Sequence, residues 1–120
     1  MPYLGIDIIE ITRIEEAVVR WGARFLQRVY TENEIRLYRE QIPSLAARFA
    51  AKEAVIKALG PQSSVIGLKE IEVINEPGGQ PRAVLHGRAL QRAQELGINN
   101  FDISLSHCHE YAVACAINGK

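Results

Sequence analysis

Several features that would assign a chain to a common class are missing from this sequence. Its 120 residues include 14 basic and 14 acidic side chains, so the formal net charge is zero, whereas dedicated nucleic-acid-binding domains usually carry a marked basic excess. No apolar run approaches the roughly 20 residues that cross a bilayer. Neither a P-loop nor a G-x-G-x-x-G loop is present, which argues against the classical nucleotide-binding loops.

Cysteine is scarce as well, because the chain contains only Cys108 and Cys115. The first ten residues include an early acidic side chain and lack the basic segment that opens a secretory signal. Without an export signal, two cysteines favour a reduced, cytoplasmic setting over a disulfide framework.

What remains is the composition of an ordinary globular protein, with 48% hydrophobic and 23% charged residues. A length of 120 residues predicts one domain, spanning 1–120, with a modest core. The TENE segment at 31–34 is a capping box, which starts a helix. Apolar periodicity and turn signals predict a strand at 3–10, helical segments at 13–30 (with a break near Gly22), 31–40 and 44–59, strands at 68–75 and 82–86, a helix at 88–96, and strands at 101–106 and 110–117. This order favours an α+β fold with a mixed or antiparallel sheet.

The third helical segment contains the stretch RFAAKEAVIKALG, residues 48–60, which is apolar nearly all round and yet carries four charges. Such a helix is normally buried, and charges at the edge of a core are costly unless they are paired or used. Two alternatives are open. Either Glu53 pairs with Lys57 while Arg48 and Lys52 extend to water, or Glu53 is a metal ligand and the three cations hold an anion, with phosphate favoured.

Asp7 is a carboxylate within a strand that is otherwise rich in isoleucine. It is either a hydrogen-bonded structural residue near the strand end or a ligand for a hard metal ion. Asp7 and Glu53 together would supply two oxygen ligands and leave positions for water and phosphate, which is how Mg²⁺ is usually held. Glu10 is left out of this set, because a residue three positions further along a strand faces away from Asp7.

A polar group, SHCH, lies between the last two predicted strands. His107 and His109 would share one side of an extended chain, but a zinc site needs further ligands at suitable spacing, and none is evident. No hydroxyl–base arrangement marks Ser106 as a nucleophile. The sequence therefore disfavours both a zinc site and a Cys/His nucleophile here.

Four arginines recur along the first helical segment, at positions 13, 20, 24 and 28. In a continuous helix all four would lie within about 80° of one another, with Phe25 nearby. They form either a solvated helix face or a docking face for an acidic partner, with Phe25 as its apolar anchor. A one-sided arginine row on a chain of zero net charge favours a local acidic partner over a bulk polyanion.

Three stretches, in this order and spacing, carry a resemblance to a known family: GIDIIEITRI, RFAAKEAVIKALG and ISLSHCHEYAVACA. They resemble the holo-acyl-carrier-protein synthases, the small bacterial 4′-phosphopantetheinyl transferases, over nearly the whole chain. In that family the position of Cys108 is often Thr or Ser and that of His109 is variable, which also argues against a metal motif. The resemblance implies a single α+β domain with a mostly antiparallel sheet packed against a long central helix.

The resemblance also implies an activity: transfer of the 4′-phosphopantetheine moiety of coenzyme A to a serine of apo acyl carrier protein, with release of adenosine 3′,5′-bisphosphate, in a Mg²⁺-dependent reaction. It makes Asp7 and Glu53 the Mg²⁺ ligands and, with Lys52, the catalytic residues. The implied coenzyme A ligands are Arg48, Lys52, Lys57, Ser106 and His107. The general base stays open among a metal-bound water, Glu53 and Lys52, and the first is favoured because the ion lowers its pKa.

By the same resemblance, the acidic acyl carrier protein docks on the first helix, and the candidate residues are Arg13, Arg20, Arg24, Phe25 and Arg28. A homotrimer with its sites at the subunit boundaries is implied too. The alternative from another class is a non-catalytic module that binds coenzyme A or an acidic protein. The presence of both Asp7 and Glu53 favours the transferase, because a binding module needs no pair of metal ligands.

Overall fold

A computed structural model describes residues 3–119 of the chain. The strands of this part are β1 (Leu4–Glu10), β2 (Ile71–Asn75), β3 (Pro81–Leu85), β4 (Phe101–His107) and β5 (Tyr111–Asn118), and the α-helices are α1 (Ile11–Trp21), α2 (Ala23–Val29), α3 (Glu32–Tyr38), α4 (Ile42–Ala58) and α5 (Gly87–Leu96). Two 3₁₀ turns, Pro61–Val65 and Leu68–Glu70, connect α4 to β2. No helix in the described range is long and apolar enough to cross a membrane.

The five strands form one sheet in the order β1-β5-β4-β3-β2, and every neighbouring pair is antiparallel. The predicted α+β fold is confirmed, and the sheet is antiparallel throughout rather than mixed. β5 pairs along nearly its full length with both β1 and β4, so the two strands that carry Asp7 and His107 are separated by one strand.

The long helix α4 lies across the inner face of this sheet, as the resemblance implied. Its buried side chains are mostly small, with Ala50, Ala51 and Ala54 completely inaccessible to solvent, and alanine is the best helix former. A Cβ atom added at Gly5 would lie 1.8 Å from the carbonyl oxygen of Ala54. The backbones of β1 and α4 therefore touch, and Asp7, two residues beyond Gly5 on the same face of the strand, lies beside the helix.

The helix boundaries show where local signals were sufficient. Thr31 and Glu34 form the predicted capping box at the start of α3, and Gly22, with a φ of 54°, separates α1 from α2. The predicted start of α4 at Ser44 is wrong. The helix begins at Ile42, with a proline in its first turn, where the missing N–H of that residue costs nothing.

Candidate active site

Asp7 and Glu53 lie where β1 crosses α4, close enough for the charge of Asp7 to act on Glu53, and we call them the carboxylate pair. Lys57 Nζ donates to Asp7 Oδ1 at 2.9 Å and to the carbonyl oxygen of Ile6 at 3.0 Å. Burial and the neighbouring charge of Asp7 raise the pKa of the Glu53 carboxyl, and the Lys57 ammonium opposes the shift. The ion pair of Lys57 is thus with Asp7 rather than with Glu53, the partner considered from the sequence.

The carboxylate pair fits a hard divalent cation. Two half-buried carboxylates that repel each other, with an ammonium group already drawn to one of them, form an oxygen-rich site for positive charge. Among residues 3–119 no group of three or more His, Cys, Asp or Glu side chains is arranged to hold a metal ion. A Mg²⁺ ion at the carboxylate pair would therefore complete its coordination shell with water and substrate oxygens, as Mg²⁺ commonly does.

Arg48 occupies the other charged side of α4, and it is buried, with only 4% of its surface exposed. Its guanidinium lies 3.6 Å from the centre of the Tyr38 ring, and Nη2 donates to Asn75 Oδ1 at 3.1 Å. Its buried Nε atom has no hydrogen-bond partner. A buried cation is costly unless it is paired, and an anion in a cleft lined by Arg48 would supply the missing opposite charge.

A cleft of about 430 Å³ opens in front of Arg48. Asn75, Gln80, Ser106 and His107 line it, from the β2–β3 turn and the exposed end of β4. We call this cleft, with Arg48, the anion cleft. Three of the predicted coenzyme A ligands thus come together here, whereas Asn75 and Tyr38, which hold the guanidinium, were not singled out from the sequence.

Lys52 requires a correction. Its side chain is completely buried, and Nζ donates to Glu34 Oε1 at 2.7 Å, to the carbonyl oxygen of Leu68 at 3.3 Å and to that of Ile71. Burial lowers the pKa of Lys52, and the Glu34 carboxylate opposes this shift. All three donors of the ammonium are used inside the protein, which argues against Lys52 as a coenzyme A ligand, as a base candidate and as a catalytic residue.

The arginine row is divided by the Gly22 break, so the continuous helix that would align it is not formed. Arg13, Arg20, Arg24 and Arg28 are exposed and Phe25 is partly buried. A cleft of about 520 Å³ at the junction of α1 and α2 is lined by Ala17, Trp21, Arg24, Phe25 and Arg28. Trp21, which is 52% exposed and lies under the Arg20 guanidinium, is a further apolar member of this face that sequence reasoning missed.

The candidate residues therefore form two separate groups within one subunit. Glu53 follows Arg48 by five residues, which places the two side chains about 140° apart around the helix. Asp7, Glu53 and Lys57 do not line the anion cleft. One group is a pair of carboxylates with a lysine, the other is built around a buried guanidinium, and the two lie on different sides of α4.

The fold and these two groups define a small α+β protein with a carboxylate pair on one side of its long helix and an arginine-lined cleft on another. The profile of the 4′-phosphopantetheinyl transferase superfamily matches residues 3–116, and the chain belongs to this family. It is 54% identical to a holo-acyl-carrier-protein synthase of Dehalococcoides mccartyi over 118 residues, 98% of either chain, and 52% identical to that of Moorella thermoacetica over 116 residues, which cover 94% of this chain and 90% of the relative.

Solved structures agree with the sequence relatives. The holo-acyl-carrier-protein synthase of Helicobacter pylori in complex with coenzyme A superposes with a TM-score of 0.84 at 31% identity and covers 97% of this chain and 99% of its own. The Neisseria meningitidis enzyme gives a TM-score of 0.83 at 29% identity, with both chains fully covered.

Proposed function

We propose that the carboxylate pair and the anion cleft are the two halves of the active site with which this chain transfers 4′-phosphopantetheine from coenzyme A to a serine of apo acyl carrier protein. The activity is that of the relatives, which are holo-acyl-carrier-protein synthases at 50–54% identity over nearly the full chain. The observation that carries the assignment of the site is the position of Asp7 beside Glu53, with Lys57 on the pair.

In this reaction the serine oxygen forms a bond to the phosphorus that carries pantetheine. The bond from that phosphorus to the bridging oxygen of the pyrophosphate breaks, adenosine 3′,5′-bisphosphate leaves, and a base takes the serine proton. Negative charge grows on the bridging oxygen, so the site must supply positive charge there. Mg²⁺ held by the carboxylate pair would neutralise charge on the pyrophosphate oxygens.

The chain's own cations supply the rest. Lys57 is more than half exposed and reaches the carboxylate pair, so it can turn to the pyrophosphate. Arg48 lines the anion cleft, where its guanidinium can bind a phosphate of coenzyme A, and Ser106 and His107, which also line the cleft, can contact the same ligand. With Lys52 buried, Glu53 remains as the chain's own candidate for the base.

The cleft at the junction of α1 and α2 is the proposed docking face for the carrier protein. Arg24 and Arg28 flank Phe25 and Trp21 there, which combines charge for an acidic partner with an apolar anchor. The exposed Arg13 and Arg20 extend the positive charge along α1. Electrostatic attraction would then guide the carrier protein to this surface before the apolar contacts form.

A homotrimer would reunite the two halves of the site. The outer face of β1 is apolar, with Leu4, Ile6 and Ile8 each about 60% exposed, and the neighbouring strand adds Val113 and Ile117 on the same face. A continuous apolar surface of this kind marks an interface. Sites at the boundaries would place the carboxylate pair of one subunit beside the anion cleft of the next.

A cytoplasmic location of the protein remains a prediction from the sequence.

The direct test is incubation with apo acyl carrier protein, coenzyme A and Mg²⁺, followed by intact-mass measurement of the carrier protein. We expect a mass gain of one phosphopantetheine, which chelation of divalent ions prevents. Coenzyme A binding without any mass gain would instead support the non-catalytic binding module. Full transfer after complete removal of divalent ions would contradict the metal assignment of the carboxylate pair.

A further inference from the structure

The ion pair between Glu34 and Lys52 lies outside the proposed site and is the most deeply buried charged feature among the described residues. Both side chains have no exposed surface, and their charged atoms lie 2.7 Å apart. The Glu34 carboxylate also accepts from the backbone N–H of Thr31 at 2.9 Å and from that of Val73 at 2.7 Å. The pair thus ties α3, α4 and β2 together with every donor of Lys52 in use.

Stability alone does not account for such a pair. Removing two charges from water costs several kcal/mol per ion, and well-packed apolar residues of similar volume are often as stable or more stable. The best-attested use of a buried polar pair is to fix the register of one element against another. We therefore ask whether the rest of the packing of α4 is enough to fix its rotation and position against the sheet.

The packing surface of α4 indicates that it is not enough. The helix meets the sheet through a row of alanines, and β1 approaches through Gly5, so the interface offers few ridges to fix the rotation of the helix. Apolar burial is not directional and tolerates small rotations and shifts. The three hydrogen bonds of Lys52 Nζ, in contrast, hold one point on the helix to fixed atoms of its neighbours.

We propose that the Glu34–Lys52 pair is a register pin for α4, which sets the direction of Glu53, the next residue along the helix. A rotation of α4 would displace Glu53 from its place beside Asp7, whereas Arg48, one turn before Lys52, is held by its own contacts to Tyr38 and Asn75. With a helix radius of about 5–6 Å including side chains, a rotation of about 10° moves a side-chain tip by about 1 Å. A displacement of about 1 Å can cost about 100-fold in rate. Glu34 and Lys52 are positioning residues in this proposal, which rests on the proposed site.

The test replaces both charges together, in the double variant Glu34→Gln, Lys52→Met. The glutamine keeps an oxygen for a backbone N–H, and methionine fills the volume of the lysine stem, so no uncompensated charge is left in the core. If the pair is a register pin, the folded double variant loses about tenfold or more in kcat, while its KM for coenzyme A changes less, because Arg48 keeps its own contacts to Tyr38 and Asn75.

Two controls separate positioning from stability. Gly97→Ala strains the left-handed C-terminal cap of α5, where φ is 74°, and gives a destabilised enzyme whose kcat at a temperature well below its melting point should stay near that of the wild type. Glu34→Asp keeps the charge but shortens the side chain by one methylene, so it should fold and still lower kcat if position matters. A kcat within about twofold of the wild type in either the folded double variant or Glu34→Asp overturns the proposal. Inactive wild-type enzyme would instead overturn the proposed function.

Discussion

Two lysines of α4, five residues apart, have the same chemistry and different surroundings. Lys52 has no exposed surface and is paired with a buried carboxylate, whereas Lys57 is 55% exposed and paired with Asp7. An exposed pair contributes about 0–1 kcal/mol, while breaking a buried pair costs about 3–5 kcal/mol, because the other charge is left uncompensated. The sequence motif alone does not show which of the two lysines is buried. The difference in their burial and partners comes from the packing around α4.

Substituting each lysine by methionine should therefore separate function from stability. We expect Lys57→Met to lower kcat/KM about tenfold or more through loss of a charge beside the pyrophosphate, with a nearly unchanged free energy of unfolding. Lys52→Met should lower the free energy of unfolding by about 3–5 kcal/mol. Denaturant titration and steady-state kinetics of both variants measure the two effects. An unaltered kcat/KM in Lys57→Met would remove Lys57 from the site.

The carboxylate pair allows a test with nearly isosteric amides. Asp7→Asn or Glu53→Gln should abolish Mg²⁺-dependent transfer, because an amide is a weaker ligand for a hard cation. The fold should survive. Since the protein raises the pKa of Glu53, its charged form is disfavoured by folding, and Glu53→Gln should melt no lower than the wild type at neutral pH.

Glu40 provides the control for these amides. It is an exposed carboxylate between α3 and α4, outside the carboxylate pair and the outer face of β1, so Glu40→Gln should keep the wild-type rate. Transfer assays by intact mass and thermal melts of all three variants check the prediction. Full activity in Asp7→Asn or Glu53→Gln would contradict the metal assignment.

At the scale of elements, local signals predicted the helices and strands well. Gly22 and the TENE box set helix ends through backbone conformation and side-chain caps, which act within a few residues. The ion-pair partner of Lys52 could not be predicted in this way. Glu34 lies 18 positions away in the sequence, and the two side chains come together only because α3 packs against α4. The distribution of charges around α4 was visible from helical periodicity, but which charges were buried depended on the sheet.

One cap shows an effect that pH can reveal. Glu70 accepts from the backbone N–H of Gly67 at 2.7 Å and from that of Arg88 at the start of α5. Burial tends to raise the pKa of Glu70, but these hydrogen bonds outweigh it and lower the pKa below its ordinary 4.5. A lowered pKa in the folded state means that the carboxylate contributes stability above pH 4.5 and that this contribution is lost as the pH falls through the folded-state value.

We expect Glu70→Gln to be less stable than the wild type at pH 7 and to approach it in acid. The difference in free energy of unfolding, measured by urea titration between pH 7 and pH 3, should shrink as the pH falls. Asp102→Asn, at an exposed carboxylate on β4, serves as the control. A difference that is independent of pH would mean that the cap acts through packing and not through its charge.

The kink between α1 and α2 is the element proposed to receive the carrier protein. Arg24→Glu reverses one charge in that cleft and should raise the KM for the carrier protein about tenfold or more, while coenzyme A binding stays intact. Arg39→Glu, an equal reversal at an exposed position outside the cleft, should have a smaller effect. Steady-state kinetics at two ionic strengths check this, because attraction between surface charges weakens with salt. A KM for the carrier protein that is independent of salt would count against this docking face.

At the scale of the whole molecule, the two groups of candidate residues lie apart within one chain, a separation that a site shared between subunits, as the resemblance implied, would bridge. Arg48 and Glu53 belong to one motif, but α4 points them to different sides. The apolar outer face of β1, with Ile6 and Ile8 both 62% exposed, offers a surface through which copies could associate. The motif therefore contains the candidate residues of the proposed active site without indicating whether one subunit or two supply them.

Mixing two inactive variants decides between these cases. Glu53→Gln damages the carboxylate pair and leaves the anion cleft intact, whereas Arg48→Met does the reverse. Suppose that each site combines the carboxylate pair of one subunit with the cleft of its neighbour. After random co-assembly of the two variants in equal amounts, the carboxylate pair of a given site is intact in half of the cases, and so, independently, is the cleft. About a quarter of the sites are then complete, so about a quarter of wild-type activity should return, with the trimer checked by light scattering. If one subunit supplied the whole site, every subunit would carry a defect and the mixture would stay inactive.

The apolar outer face of β1 can be tested in the same mixture. Ile6→Lys placed in both variants should prevent the recovery of activity by disrupting this face, whereas Val65→Lys, at an equally exposed valine of a 3₁₀ turn, should not.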